Sequence, residues 1–380
     1  MNMLDKLKSL RKELHQFPEV SGNESQTAER IKAFISQNSR PTQILEGLGG
    51  NGLAVVYEIS SDGPVIAIRC ELDALPIPEK NEFAHRSKNQ GISHKCGHDG
   101  HMAIVAGLAL WVAEPHFKKG TIVLLFQPAE ETGQGAAQIL ADTRFQALNI
   151  EYIFALHNIP GYPLHSVLVP KKGFSAEVLS FALHLKGKES HASEPSKGIN
   201  PAHCLAEVIQ RFDALNINDP ENPNYKILTP IYMHMGEKSY GISPALGELH
   251  YTVRTWRPET METLRKEIEN ICYHISKSNS IMYSLDWFEH FPASLNDAQG
   301  VALVTEVAHK NGFNVIEKSV PFSFGEDFGW FSKNYRATMF GVGAGENVPA
   351  LHHADYDFPD ALISKGIEMF KSVIKEILKE

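Results

Sequence analysis

The sequence predicts an α/β fold interrupted by an inserted α+β domain, and three observations predict it. Segments 64–70 (PVIAIRC), 121–127 (TIVLLFQ) and 152–157 (YIFALH) are near-continuous apolar runs of strand length. Segments 101–113 and 135–145, lying between them, have a helical pattern, so strand and helix alternate. From about residue 178 the rhythm changes to alternating, half-exposed strands. Strands that are apolar on both faces suit a parallel sheet with helices over each face, since only double cover hides both sets of side chains from water.

In chain order, Leu4, Leu7, Leu10 and Leu14 fall at helical intervals among charges and predict an amphipathic N-terminal helix. It lacks the unbroken apolar core of a signal peptide. The three apolar runs and their two helices follow. The insert then reads as strand 178–187, helix 200–215, strands 227–235 and 246–256, helix 259–277 and strand 281–290. This β-α-β-β-α-β order is that of a ferredoxin-like unit able to fold on its own. The chain returns to α/β texture and ends in an amphipathic helix from Ala361 to Glu380. The expected division is therefore 1–177 and 290–380 for the main domain, with 178–289 inserted.

At 380 residues, a two-domain chain is expected. Its 43% hydrophobic and 21% charged content is that of a water-soluble globular protein. The formal charge of -9, with no basic run, argues against nucleic acid as a partner. No stretch has the length and apolarity to span a bilayer as a helix. Cys70, Cys96, Cys204 and Cys272 are too few and scattered for a disulfide framework, so reduced thiols and a cytoplasmic location are expected.

The chemistry gathers where the apolar runs end. VIAIRC leads into ELD, TIVLLFQ into PAEE and YIFALH into NIP. Ligands in open α/β sheets bind at the carboxyl ends of strands, so these polar groups converge. Between the first two runs, residues 94–102 read HKCGHDGHM. Cys96 and His98 are two apart, and on an extended segment their side chains share a direction, where thiolate and imidazole can address cations. Glu130 and Glu131 are adjacent and repel each other without a cation; one can bind metal while the other moves protons. His157 closes the third run, and His352 and His353 precede the last helix. A lone histidine or an acidic pair signifies little, but their concentration at strand ends predicts a metal site.

The motifs LHQFPE, RCELDALPIPE, HKCGHDGHMA, FQPAEETGQGA, ALHNIPG, GKESHASEP, GEDFGWF and LHHADYDF resemble, in order and over nearly the whole chain, the metal-dependent amidohydrolases. That family includes hippurate hydrolases, N-acyl-amino-acid amidohydrolases and auxin-conjugate hydrolases, within the dinuclear carboxypeptidase and aminoacylase superfamily. The resemblance implies a zinc-peptidase-like α/β/α catalytic domain and makes the insert a lid. It implies metal ligation by Cys96, His98, Glu131, His157 and His352, with Cys96 between two cations and Glu130 as the general base. It implies that His191, from GKESHASEP, stabilises the tetrahedral intermediate and that Asp73 orients the ligands. Asp99 and His101 are expected to orient ligands or to stand at a helix start, and His94 to face the cleft without binding metal. Two divalent ions are implied, with zinc, manganese, cobalt and nickel all suited to a mixed thiolate, imidazole and carboxylate set. From the resemblance alone comes a homodimer through the lid.

The chain departs from the family where RADMDALP becomes RCELDALP, introducing Cys70 and Glu71, the former expected as a buried filler. NVIP becomes GISP, with Gly241 for asparagine, and GKGGHAA becomes GKESHAS, adding Glu189 beside His191. The implied reaction is hydrolysis of the amide of an N-acyl amino acid. Arg254 and Lys197 on the insert are candidates to read the substrate carboxylate. The alternative enzyme is a di-metal peptidase acting on dipeptides, or a deacetylase of the N-acetyl-diaminopimelate type. A metal-stabilised binding module would be marked by loss of Glu130 or His191, and both are present.

Overall fold

The computed structural model describes residues 2–114 and 117–379. Along the chain its strands are Gln43–Leu48 (β1), Gly52–Ser60 (β2), Val65–Glu71 (β3), Gly120–Gln127 (β4), Tyr152–Pro160 (β5), Val167–Pro170 (β6), Glu177–Lys186 (β7), Ser190–His191 (β8), Lys226–Met235 (β9), Ile242–Ser243 (β10), Leu246–Thr255 (β11), Met282–Phe291 (β12), Val315–Lys318 (β13) and Arg336–Gly345 (β14). Eight of them form one sheet in the order β1-β2-β4-β3-β5-β14-β6-β13. The three apolar runs are its centre, with β3 parallel to both β4 and β5. Every residue of Ile66–Glu71 and of Ile122–Gln127 is buried, so this part of the sheet is covered on both faces.

Over one face, Ile66, Ile68, Ile122, Leu124 and Phe126 share a core with Leu7 and Leu10 of the helix Met3–Gln16, Ile31 of Ser25–Asn38, and the helices His98–Val112 and Ala361–Ile377. Burying each such aliphatic or aromatic side chain contributes about 1.5–3 kcal/mol. Met1 and Glu380, both within predicted helices, lie outside the described residues. The sheet departs from the all-parallel expectation. β2 runs antiparallel to β4 and β1 antiparallel to β2, while β14 is parallel to β5 and antiparallel to β6. The helix expected over 135–145 breaks at Asp142, whose extended backbone lets its carboxylate cap Thr143–Gln146 by accepting from the Arg144 N–H at 2.8 Å.

The chain divides into two units. One comprises Met1–Phe174, Ser294–Ser319 and Glu326–Glu380; the other comprises Ser175–Ala293 and Val320–Gly325. The second unit holds an antiparallel sheet in the order β12-β7-β11-β9. The helices Ala202–Asp213 and Pro258–Ser278 pack on one face of it, through Leu205, Val208, Leu264 and Ile268 against Phe181, Leu183, Leu249 and Tyr251. A small pair, β8 with β10, sets His191 opposite Ile242. Among the described residues, no helix has the length and apolarity to cross a membrane.

Candidate metal centre

Because β4, β3 and β5 are neighbours and parallel, their carboxyl ends deliver side chains to one edge of the sheet. From that edge come Glu71 at the end of β3 and Asp73 beyond it, Glu130 and Glu131 after β4, and His157 and Asn158 in β5. Cys96 and His98 also arrive there, but not by the pleat expected of an extended segment. Gly97 has φ 98°, and His98 is the first residue of the helix His98–Val112, three positions earlier than its apolar pattern suggests. A Cβ on Gly97 would lie 2.6 Å from Oδ1 of Asn158, so both the left-handed turn and the close approach demand glycine. Two further residues near the site also hold positive φ without being glycine: Ala129 at 52° and His352 at 64°. Ala129 is fixed by its N–H donating to Glu24 at 2.8 Å, and His352 by its N–H donating to the Lys95 carbonyl at 2.9 Å. Such strained backbone persists where surrounding contacts hold it, and it clusters at functional sites.

The structure brings together all five predicted ligands and Glu130. The donor atoms of Cys96, His98 and His157 lie within 4.8 Å of one another, as do those of Cys96, Glu131 and His352, and those of His98, Glu130 and Glu131. Cys96 thus belongs to two donor groups. Its Sγ is 3.4 Å from Nε2 of His157; His98 Nε2 is 3.8 Å from Glu130 and 4.0 Å from Glu131; His352 Nε2 is 3.6 Å from Glu131. The two adjacent carboxylates therefore address common space, because they sit on a turn beyond β4 and not on the strand itself.

Backbone carbonyls set the imidazole tautomers. Nδ1 of His98 donates to the Asp73 carbonyl at 2.8 Å, and Nδ1 of His157 to the Asn158 carbonyl at 2.9 Å. Each ring then presents an unprotonated Nε2 inward, the form a metal requires. The Asp73 carboxylate accepts from the Glu131 N–H at 3.0 Å and the Ser21 hydroxyl at 2.7 Å, so it fixes the segment that carries Glu131. His101 lies between Glu71 and the Asn158 side chain at 2.6 Å each, and Asp99 turns away to His15 at 2.8 Å and Arg11 at 3.2 Å.

The electrostatics show a shortage of positive charge. Burial pushes Glu130 well above the usual carboxylate range, and the charges of Glu326, Glu131 and Asp327 add to it. Glu131 is raised by burial and then by Asp73; the Cys96 thiol is raised by burial and then by both glutamates. His157 is held well below its ordinary value by burial and by His101. Asp73 Oδ1, His98 Nε2 and Glu131 Oε1 are buried with no hydrogen-bond partner. Unpartnered buried acceptors are costly in a folded protein, and divalent cations satisfy this donor set in both charge and coordination.

One expectation changes, and the other named residues find their places. His94 does not face a cleft: it is buried, neither ring nitrogen has a hydrogen-bond partner, and burial pushes its pKa down to about 3. Cys70 is, as expected, a buried core residue, 1% exposed. His191 lies in the second unit with an exposed ring whose Nδ1 meets the Ser193 hydroxyl at 2.6 Å. Lys197 is a surface charge paired with Glu194 at 2.6 Å, while Arg254 donates to the Ser323 carbonyl at 3.0 Å. Gly241 is not required by packing, since a Cβ there meets nothing within 4 Å.

Sequence reasoning missed a buried network around Arg69. Its guanidinium contacts Glu71, Glu326 at 2.9 Å, Asp327 at 2.8 Å and Gln127 at 2.8 Å. The Asp327 N–H in turn reaches Glu130 at 3.4 Å. The available signal was an arginine inside an apolar run, which is seldom buried without paired acids.

Residues 67–376 match peptidase family M20/M25/M40. The N-acetyl-L-cysteine deacetylase of Bacillus subtilis (strain 168) is 30% identical over 373 residues, 97% of this chain and 87% of that protein. The hippurate hydrolase of Campylobacter jejuni is 25% identical over 381 residues, covering 100% of this chain and 98% of that one. The crystal structure of a Bacillus subtilis dinuclear metal binding peptidase from the M20 family superposes with TM-score 0.84 at 25% identity, over 99% of this chain and 98% of that one.

Proposed function

The chain belongs to peptidase family M20/M25/M40, and from that membership we propose that it hydrolyses the amide of N-acyl amino acids to a carboxylate and a free amino acid. It is a metal-dependent hydrolase of amide bonds. The observation that carries the reading is the convergence of a thiol, three imidazoles and two carboxylates around unpartnered buried acceptors. Cys96, His98, Glu131, His157 and His352 would hold two divalent cations, with Cys96 common to both. Such ions, when bound, supply Lewis acidity that makes water nucleophilic near neutral pH and favours an oxyanion.

Glu130 is the proton carrier. It takes a proton from the attacking water and delivers it to the leaving nitrogen, a task for which a carboxyl raised by burial is suited. The Asp327 N–H and the Arg69 network hold Glu130 in place. Asp73 and Asn158 fix the imidazoles. His191, with Nδ1 occupied by Ser193, is assigned the oxyanion donor. Arg254 is assigned to the substrate carboxylate. The names of the Bacillus subtilis and Campylobacter jejuni relatives support acylated amino acids as the substrate class. Four free thiols suit a reducing cytoplasm, and the exposed Ile231 and Met233 of β9 support a homodimer through the second unit.

A panel of acetyl-, benzoyl- and indoleacetyl-amino acids with dipeptides, assayed on stripped protein reloaded with zinc, manganese, cobalt or nickel, tests the reading. Turnover of the acyl-amino acids is expected to exceed that of the dipeptides. The reverse order would overturn it in favour of a dipeptidase.

A further inference from the structure

One face of the second unit's sheet is covered by two helices; the other carries a row of histidines and acids. Register places Glu248 on β11 directly across from His184 on β7 and His234 on β9, with His250 two residues along on the same face. Asp286 on β12 comes from the far side of β7 and meets the other edge of the His184 ring. Glu248 Oε2 lies 3.6 Å from Nδ1 of His184 and 3.8 Å from Nε2 of His250. Both separations are too long for hydrogen bonds. They are close to the spacing of about 3.4 Å that bonds of roughly 2.1 Å impose on neighbouring ligands of a tetrahedral ion. Nε2 of His250 is shielded from solvent and has no hydrogen-bond partner.

Asp286 adds a second, independent feature. Its Oδ2 is 3.4 Å from Nε2 of His184, the ring nitrogen opposite the one that faces Glu248. At that distance the contact is electrostatic rather than a hydrogen bond; a carboxylate beside the outer nitrogen of an imidazole favours the proton there and leaves the inner nitrogen as a lone-pair donor, as in histidines that bind metal. The row also borders a cleft of about 790 Å³ lined by His184, His234 and Glu248, which leaves an approach for an ion and for an exogenous fourth ligand.

We propose that His184, His250 and Glu248 bind one divalent transition-metal ion of zinc-like chemistry, with Asp286 orienting His184. Two imidazoles and one carboxylate suit zinc and its neighbours rather than calcium or magnesium. The site uses no residue of the first unit, so it is additional to the two ions assigned there.

The test is zinc stoichiometry of the stripped full chain, measured by equilibrium dialysis at micromolar zinc. The double variant His184→Ala/His250→Ala should bind one equivalent fewer than wild type, and Asp286→Asn should weaken that equivalent about tenfold. Glu248→Gln, which keeps side-chain volume on an open face, should lose the same equivalent and guards against misfolding of the double variant. Equal stoichiometry in wild type and in Glu248→Gln would overturn the proposal. Failure of the hydrolase reading would instead appear as loss of activity or of the equivalents that depend on Cys96.

Discussion

The motif HKCGHDGHM divides its side chains between two buried polar clusters, one balanced in charge and the other not. Lys95 and Asp99 join Arg11, His15 and Glu79, where cations and anions alternate: Asp99 meets His15 and Arg11, His15 lies 3.2 Å from Glu79, and Glu79 meets Lys95. There, burial is overcome by neighbouring charge. His15 rises to about 9 under Asp99 and Glu79, Glu79 falls to about 2 beside His15 and Lys95, and Asp99 falls well below its ordinary value. Cys96 and His98 join Glu130, Glu131 and His157, where burial dominates, the acids rise and the imidazole of His157 falls. In the first cluster each charge meets an opposite one, although Asp99 Oδ1 has no hydrogen-bond partner, and the cluster serves as structure. The second is complete only with added positive charge. Two adjacent residues, His98 and Asp99, thus acquire opposite roles from the direction in which a helix start points them.

Changes in the second cluster should affect chemistry, and changes in the first should affect stability. The largest effect is expected from Glu130→Gln, which should lower kcat by about 10³-fold or more while metal content stays near wild type. Loss of a metal equivalent in that variant would make Glu130 a ligand and transfer the proton role to Glu131. In the balanced cluster, Asp99→Asn strands buried Arg11 and His15, and should cost about 3–5 kcal/mol in denaturant unfolding.

The pH dependence of the balanced cluster follows from His15. Its folded pKa of about 9 exceeds the ordinary 6.5, so its contribution is fully present below pH 6.5 and is lost as pH rises toward 9. That loss is about 3 kcal/mol. Asp99→Asn should flatten this slope, and an unchanged slope would separate His15 from Asp99.

Much of this division was legible in the sequence, and the part that was not has a local cause. Continuous apolar runs located β3, β4 and β5, and strand ends in an α/β sheet gather ligands whatever lies between them. The wrong geometry at Cys96 and His98 came from treating a pleated segment as the default, whereas Gly97 adopts a left-handed turn packed against the Asn158 side chain. His94 was misread because burial of an unpartnered imidazole leaves no pattern in a single sequence. The Arg69 network spans 258 residues between Arg69 and Asp327, a separation that no local periodicity can report.

Two smaller effects concern the second unit and the substrate. His191→Ala should lower kcat about a hundredfold, the scale of losing one oxyanion donor, with metal content unchanged. A loss confined to KM would make it a binding residue. Methyl-esterifying an N-acyl amino acid should reduce kcat/KM about tenfold, or about 1.4 kcal/mol of transition-state binding, if the free carboxylate is read. Equal rates on acid and ester would leave Arg254 without that role.

The central claim is that the unbalanced cluster is a site for two cations. It is tested most directly by calorimetric titration of zinc into stripped Cys96→Ala and wild-type chains at pH 7, in buffers of different ionisation enthalpy. Wild type should bind two equivalents that Cys96→Ala binds weakly or not at all, with protons released as the Cys96 thiol, raised by burial, ionises. Binding unaffected by loss of Cys96, or binding without proton release, would contradict it.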